Sequence, residues 1–406
     1  MSETSHSGGA GPTPTPASAP SPQAGSPGSQ GFASYLPTVT VTLASILLAL
    51  VIGAVLIIVS DDQVIESSSY IFSYPWDALS AAAEAVQESY WALVSGSVGS
   101  WAAITATLER AAPLISAGLA VALAFRAGMF NIGAQGQLII GAICAAYVGF
   151  TYDLPPVVHV LAALLAGLAG GAVWGGIIGF LKARTGAHEV ITTIMLNYVA
   201  LSILTWALTK NAFQQPGSNN PRSEKVDDHA TFPDIFGVHI GILLALLAAA
   251  GVWWLLERST VGFEMRAVGA NSEASRTAGM SVAKVYTLAM VVAGLLAGLA
   301  GTQQVLGHED SLTANFSGSI GFDAITVALL GRATPLGTVL AGLLFGALSV
   351  GGTAMQASTA STPLALTQVL QALIVLFVAA PALVKAVFRM SAAEEGGTVQ
   401  AKGWNS

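Results

Sequence analysis

The chain contains uninterrupted apolar runs that are long enough to cross the hydrocarbon core of a membrane. The first extends from Leu36 to Val59, and a helical crossing needs about 20 predominantly apolar residues. Only 9% of the 406 residues are charged, whereas an ordinary soluble domain has about 25% charged residues. Because helices pair their own backbone groups in lipid, the sequence predicts an all-α integral membrane protein.

The apolar runs predict a polytopic bundle of about ten transmembrane helices. The predicted crossings are residues 36–59, 111–125, 129–150, 157–181, 190–208, 238–256, 285–306, 322–330, 336–351 and 364–384. Between the first two lies "SAAAEAVQESYWALV", which predicts an amphipathic helix on the membrane surface within residues 61–100.

The two ends of the chain differ in composition from its middle. Residues 1–34 are rich in Pro, Ser and Gly, and such a segment buries too little apolar surface to offset the entropy of ordering, so we expect a disordered tail. Residues 391–406 are polar and predict a second flexible tail. Residues 35–390 are therefore predicted to form one transmembrane domain.

The positions of Lys and Arg predict the orientation of the chain in the membrane. With the N-terminus inside, most of the 15 basic residues lie on the cytoplasmic side. Those that lie outside are Arg110, Lys210, Arg222 and Lys225. This asymmetry follows the positive-inside rule and predicts that both termini are cytoplasmic.

An unusually polar stretch, "FRAGMFNIGAQGQLIIGA", occupies residues 125–142. Its amides, Asn131, Gln135 and Gln137, are predicted to face a solute pathway, because polar side chains within a span are costly. Its glycines weaken the helix and predict a broken or re-entrant segment. Amides both donate and accept, which suits hydroxyl-rich or nucleobase solutes. The alternative is that they only join helices by hydrogen bonds.

A second polar patch begins at Glu189. Glu189, Thr193 and Asn197 share one helical face by their spacing. Thr193 and Asn197 are predicted to line the same pathway, whereas Glu189 suits the start of a helix. Asp323 is either a pathway residue or another charge at a helix start. The "HED" run at residues 308–310 lacks a spaced partner and predicts a solvated loop, so no metal site is expected.

Residues 257–284 form the longest charged segment that is expected on the cytoplasmic side. Charged residues alternate there with Ala and Gly, a pattern that predicts a short solvent-facing helix flanked by turns. The segment is either a solvated connection or a docking element for a soluble partner.

Four motifs, in order, resemble one family of bacterial proteins. The sequence "NIGAQGQ" resembles the "NIGAEGQ" signature of the nucleoside and simple-sugar permeases of ABC importers, with Gln135 in place of Glu. "HEVITTIMLNYVA" (residues 188–200) and "GFDAITVALLGRATPLG" (residues 321–337) also match. The fourth match is the order Gly262, Arg266, Ala267, Gly269, Asn271, Ala274, Ala278 and Gly279. The resemblance covers about residues 111 to 389 of the chain.

The resemblance implies a permease subunit that imports nucleosides or related simple sugars across a bacterial plasma membrane. It implies two ABC ATPase subunits, a second permease that is homologous or identical, and an extracellular solute-binding protein. Besides these partners only membrane lipid is expected, and no nucleic acid. The implied coupling residues for the ATPase are Glu264, Arg266, Gly269, Asn271 and Arg276. The chain has no G-x-x-x-x-G-K-[ST] sequence, so ATP hydrolysis is expected in a separate subunit, and no enzymatic activity or cofactor in this chain.

Two other functions remain open from the residues alone. An ion-coupled secondary transporter or channel for a small polar solute needs an ion site, for which only Glu189 and Asp323 are candidates. A membrane enzyme needs clustered His and carboxylates or a nucleophile beside a base, which the predicted spans do not display.

Overall fold

The computed structural model describes residues 36–70, 72–218, 220–358 and 364–389. The chain divides into two compact units, residues 1–40 and 41–406. Of the first unit, the description covers the opening residues of the first helix. The predicted tails, residues 1–34 and 391–406, lie outside the described residues.

Helices account for most of the described chain. They are α1 (Leu36–Ser60), α2 (Asp62–Ser68), α3 (Pro75–Val98), α4 (Trp101–Arg126), α5 (Ala134–Thr151), α6 (Pro156–Thr185), α7 (Glu189–Ala207), α8 (Gly241–Arg258), α9 (Thr260–Ala270), α10 (Ser272–Thr277), α11 (Val282–Gln304), α12 (Ile320–Leu330), α13 (Pro335–Ser358), α14 (Leu364–Ala379) and α15 (Pro381–Val387). A π-helix, Val305–Glu309, continues α11. Strands β1 (Asp234–Ile235) and β2 (Val238–His239) pair antiparallel as a small hairpin.

Eight helices within the described residues are long and apolar enough to cross a membrane: α1, α4, α5, α6, α7, α8, α11 with its π-helical extension, and α13. This confirms the prediction of a polytopic, all-α membrane protein. The other two predicted crossings, residues 322–330 and 364–384, correspond to shorter helices. These are α12, which has 11 residues, and α14, which has 16.

Several predicted boundaries were wrong, including the end of α13, which is Ser358 rather than Gly351. Helix α4 begins ten residues before its predicted start at Ala111, because Glu109 and Arg110 lie inside the helix and interrupt the apolar run without ending it. Helix α5 begins at Ala134 rather than at residue 129, because the preceding residues are not helical. The helix predicted within residues 61–100 is observed as α2 and the 24-residue α3.

Glycines allow α6 and α11 to pack with their backbones in contact. A β-carbon at Gly171 would lie 2.6 Å from the α-carbon of Gly298, and one at Gly175 would lie 2.9 Å from the α-carbon of Gly294. Small residues at four-residue intervals permit such close approach in a membrane, where lipid provides no hydrophobic drive for association. The glycine spacing therefore serves packing within this chain.

Helix α4 extends between the two ends of the bundle. At its start, the indole nitrogen of Trp101 donates to the carbonyl oxygen of Phe236, 3.1 Å away in the β1–β2 turn. At its end, Arg126 lies 3.9 Å from Glu257, next to α9. We call these the hairpin end and the α9 end of the bundle.

Candidate functional site

The polar stretch between α4 and α5 is broken, as the sequence predicts. Residues 127–133 are not helical, and Gly128 has a φ of 75°. Glycine adopts this left-handed conformation without the steric cost that other residues incur. The break leaves backbone groups without partners inside a helix, so side chains must bond to them.

Amide side chains satisfy the groups around this break. Asn131 and Gln137 are fully buried and exchange two hydrogen bonds, of 3.0 and 3.1 Å. The Asn197 oxygen accepts from the Gly136 nitrogen at 2.8 Å, and its amide nitrogen donates to the Ile132 oxygen at 2.9 Å. Thr193 packs against Gly133. The Asn131–Gln137 pair joins the break to α5, and Asn197 joins α7 to both. The assignment of these side chains to a solute pathway stays a prediction.

Gln135 makes a different set of contacts, with a segment far away in sequence. Its amide nitrogen donates to the Ser317 hydroxyl at 2.9 Å and to the Gly318 oxygen at 3.0 Å. Its oxygen accepts from the Gly321 nitrogen at 2.7 Å. Gln135 therefore ties the first turn of α5 to the start of α12.

A polar cavity of about 300 Å³ lies on the other side of the segment that Gln135 holds. Helices α4, α12, α13 and α14, the end of α11 with its π-helix, and the segment before α12 form its walls. The lining residues are Arg110, Leu114, Gln304, Glu309, Asn315, Phe316, Ser317, Gly318, Ser319, Ile320, Asp323, Phe345, Ser349, Thr353, Thr367, Gln368 and Gln371. Among the described residues, a larger concavity of about 750 Å³ follows the exposed face of α3 alone and so encloses nothing.

The charged groups of the cavity have polar partners. Arg110 lies 3.3 Å from the Nε2 atom of His308. Glu309 accepts from the Gln304 amide at 3.3 Å. The Ser319 hydroxyl donates to Asp323 at 2.7 Å. The cavity thus combines two carboxyl groups and one guanidinium with amides and hydroxyls that donate and accept.

The π-helix explains how Glu309 reaches the cavity. π-Helical turns are rare and frequently occur at functional sites. Here the wider turn brings His308 beside Arg110 and Glu309 beside Gln304. The solvated loop predicted at residues 308–310 was wrong for His308 and Glu309, which are the last two residues of this helix. Within the described residues, no group of three or more His, Cys, Asp or Glu could hold a metal ion.

Glu189 and Asp323, for which the sequence leaves two roles open, both lie in the first turn of a helix. Glu189 is the first residue of α7 and pairs with Lys182 at 2.7 Å. It therefore neutralises a neighbouring charge at a helix start. Asp323 lies in the first turn of α12 and also lines the cavity.

The residues predicted to couple to an ATPase lie on or between two short helices, α9 and α10, at one end of the bundle. Asn271 separates the helices and caps the second, because its oxygen accepts from the Ala274 nitrogen at 3.0 Å. Arg266 donates to Glu257 at 3.2 Å. Arg276 pairs with Glu273 at 3.4 Å, and both side chains are exposed. Glu264 is half-buried on α9.

Gly269, near the end of α9, has no space for a β-carbon. A β-carbon at Gly269 would lie 2.9 Å from the Gly128 nitrogen and would overlap the Arg126 carbonyl oxygen. The end of α9 is therefore in backbone contact with the end of α4 and with the break that follows it.

The family model described as "Branched-chain amino acid transport system / permease component" matches residues 103–379. The match spans more than half of the chain and includes the cavity, the break and the α9–α10 helices. The chain belongs to this permease family. It is a multi-pass membrane subunit of an ABC transporter, and the ATPase of such a transporter is a separate subunit.

Curated relatives of the permease are similar over most of their length. The guanosine ABC transporter permease protein NupP of Bacillus subtilis is 40% identical over 72% of this chain and 86% of its own. The glucose ABC transporter permease protein TsgB13 of Haloferax volcanii is 38% identical, over 68% and 75%. The nucleoside ABC transporter permease protein NupB of Lactococcus lactis is 34% identical, over 71% and 82%.

Each of these three organisms also has a second, more distant relative whose name gives the same solute. Their identities to the permease are 27% in Bacillus subtilis, 27% in Haloferax volcanii and 24% in Lactococcus lactis. No solved structure matches the permease at a significant level.

The cavity residues that sequence reasoning missed come from elements that are distant along the chain. The sequence indicates for Arg110 only a position outside the membrane, and it places Gln304 within an apolar span. The one signal available in the sequence is the pair of carboxylates, Glu309 and Asp323, near the ends of predicted spans.

Proposed function

We propose that the permease imports nucleosides, or related simple sugars, through the polar cavity beside α12. The cavity carries this proposal. Its volume of about 300 Å³ is at the lower end of the range for small-molecule sites. The relatives NupP and NupB are named for guanosine and nucleosides, and TsgB13 is named for glucose. All of these are neutral, hydroxyl-rich solutes.

The lining suits such a solute chemically. The amides of Gln304, Gln368 and Gln371 can each donate and accept, as a ribose or a nucleobase requires. Phe316 and Phe345 provide apolar contact for a flat ring. With one guanidinium and two carboxyl groups, the cavity has no excess positive charge and therefore disfavours phosphorylated solutes. No cofactor is proposed for this chain, because ATP is hydrolysed by its partner subunits.

The α9 end faces the cytoplasm in our proposal, and the hairpin end faces outward. Support comes from the basic residues near α9, including Arg126, Arg258 and Arg276, which follow the positive-inside rule. Both termini are then cytoplasmic. An extracellular binding protein would deliver solute at the hairpin end, and two ATPase subunits would contact the exposed residues of α9 and α10.

Four of the five predicted coupling residues differ by their contacts: three are held by other parts of this chain, and Arg276 is exposed. Gly269, Asn271 and Arg266 build and fasten the docking element, because each contacts another part of the same chain. Arg276 and the exposed Phe263 remain available to an ATPase surface. Glu264 is half-buried on α9.

We further propose that the second permease is a different, homologous chain. In each of three organisms, one relative is 34–40% identical to this permease and a second, named for the same solute, is 24–27% identical. This pairing supports two unlike permeases in one transporter, of which the present chain corresponds to the first.

The test is to co-express the permease with the ATPase, second permease and binding protein of the proposed transporter, and to measure guanosine-stimulated ATP hydrolysis in lipid nanodiscs. We expect one complex that contains both permeases and hydrolyses ATP faster with guanosine and binding protein. A chain that binds no ATPase and moves guanosine alone under an ion gradient would contradict the proposal. A complex with two copies of this chain would contradict the pairing alone.

A further inference from the structure

The segment that precedes α12 forms the cavity wall nearest to α5. Ser317, Gly318 and Ser319 all line the cavity. Gly318 has a φ of 46°, so the backbone turns sharply there. The Ser319 carbonyl oxygen then accepts from the Asp323 nitrogen at 2.8 Å, and its hydroxyl donates to the Asp323 carboxyl group. The position of Asp323 in the cavity therefore depends on how this segment is held.

Gln135 holds the segment from behind. Its side chain is 8% exposed and bonds at three points, to Ser317, Gly318 and Gly321. A β-carbon at Gly321 would lie 2.5 Å from the backbone nitrogen of Gln135. The first turns of α5 and α12 are thus in backbone contact, and the carboxamide fills the space beside that contact.

The three bonds need a group that donates and accepts. The Gly318 oxygen can only accept, and the Gly321 nitrogen can only donate. A carboxamide satisfies both, whereas the carboxylate of the Glu that the family signature has at this position would have no proton for the Gly318 oxygen in this arrangement and would place a negative charge beside it. Ser317 could rotate its hydroxyl to donate to a carboxylate, but the Gly318 oxygen has no such alternative.

We propose that Gln135 is a positioning residue for transport: its carboxamide fixes the wall segment at residues 317–321 and thereby sets the place of Ser319 and Asp323 in the cavity. This inference rests on the proposed function of the cavity. The charged side chains that line the cavity beyond the wall are Arg110, Glu309 and Asp323. In this proposal Gln135 does not contact the solute. It acts by holding the wall segment in place.

The experiment compares wild type with Gln135→Glu and Gln135→Met in the complete transporter, reconstituted in proteoliposomes with ATP inside. Guanosine uptake is measured at pH values of about 7.5 and 5.5, with each variant expressed relative to wild type at the same pH. Both substitutions nearly preserve shape, but only the first can regain a donor, because a carboxyl group that binds a proton can donate a hydrogen bond and a thioether cannot.

For Gln135→Glu we expect a maximal rate lower by about tenfold or more at the higher pH, since a buried acceptor loses its donor. We expect substantial recovery at the lower pH and an unchanged KM, because the binding protein captures the solute. Gln135→Met should lose activity equally at both pH values. Membrane abundance of each variant is measured by immunoblot.

Several results would overturn the inference. One is a Gln135→Glu variant that matches wild type at both pH values, and another is an equal loss at both. If Gln135→Glu does not reach the membrane, Gln135→Met decides, and a rate within about twofold of wild type contradicts a positioning role. If wild type itself imports no guanosine, the proposed function fails instead, so the two failures are distinguishable.

Discussion

Gly269, near the end of α9, lies in van der Waals contact with the carbonyl oxygen of Arg126, the last residue of α4. The contact leaves no space for a β-carbon. Glu257 reinforces it, because its carboxylate binds Arg266 on α9 and lies 3.9 Å from Arg126 on α4. Since α4 leads directly into the break at residues 127–133, a displacement of α9 must move the break or open this contact.

Gly269→Ala is therefore expected to uncouple ATP hydrolysis from transport. The methyl group would force α9 away from α4, at a cost of about 1–3 kcal/mol, typical of overpacking. We expect guanosine uptake per ATP hydrolysed to fall at least about fivefold in proteoliposomes. The matched control is Gly251→Ala on α8, where a β-carbon meets no atom within 4 Å. Equal loss in both variants would argue against the contact.

The ion pairs at Glu257 should contribute little to the stability of the permease. They should contribute more to the coupling between α9 and the ATPase. Side chains of Arg126, Arg266 and Glu257 are about one-third or more exposed, so solvent screens each pair to about 1 kcal/mol or less. We expect Glu257→Gln to shift the melting temperature of the purified permease only slightly. Arg266→Glu places like charges together and should lower guanosine-stimulated ATP hydrolysis clearly.

A charge exchange at this site provides the control. The double variant Glu257→Arg, Arg266→Glu restores an attractive pair but places Arg126 next to a like charge. Partial recovery of ATP hydrolysis relative to Arg266→Glu is expected. A double variant no better than the single one would show that Arg266 acts through the ATPase surface rather than through Glu257.

Asp323 is expected to matter through its charge and through its bond to Ser319. Asp323→Ala loses both and should lower the maximal rate of guanosine uptake by about tenfold, the effect of about 1.4 kcal/mol. Asp323→Asn keeps an oxygen that can accept from Ser319, so we expect a smaller loss. The measurement is uptake by the complete transporter, with membrane abundance checked for each variant. Identical rates in Asp323→Ala and wild type would remove Asp323 from the pathway.

The hairpin end should be destabilised by acid through His239. Burial lowers the pKa of His239, with a further decrease from the nearby His308 and an opposing effect of Asp234. A base with a depressed folded pKa contributes stability above its unfolded pKa of about 6.5, and that stability is lost as the pH falls below this value. We expect the melting temperature of the permease to be lower at a pH of about 5 than at a pH of about 7. This difference should be smaller in His239→Gln.

That substitution keeps an acceptor for the Gly241 nitrogen, which donates to the Nδ1 atom of His239 at 3.1 Å in wild type. The same acid-dependent decrease in both proteins would assign the effect to another group.

Much of the fold could be predicted from hydrophobicity and glycine spacing. The glycines of α6 recur at four-residue intervals and the apolar runs are continuous, so both patterns are visible over short stretches of the sequence. The break before α5 was also predictable, because Gly128 and Gly133 accompany amides that no apolar environment tolerates without partners.

The cavity was less predictable because its walls come together only in three dimensions. Gln135 and Ser317 are separated by 182 positions, and Arg110 and His308 by 198. No local pattern reports which distant segments meet. Glu309 was hidden further by the π-helix, since its extra residue per turn changes the face on which a side chain lies.

In our proposal, ATP hydrolysis by partner subunits drives nucleosides through the cavity beside α12. The most direct test is guanosine uptake by proteoliposomes that contain the complete transporter, with and without ATP inside, for wild type and Asp323→Ala. We predict uptake that requires ATP and is lower by about tenfold in the variant. Uptake that proceeds without ATP under an ion gradient, at equal rates in both proteins, would contradict this claim.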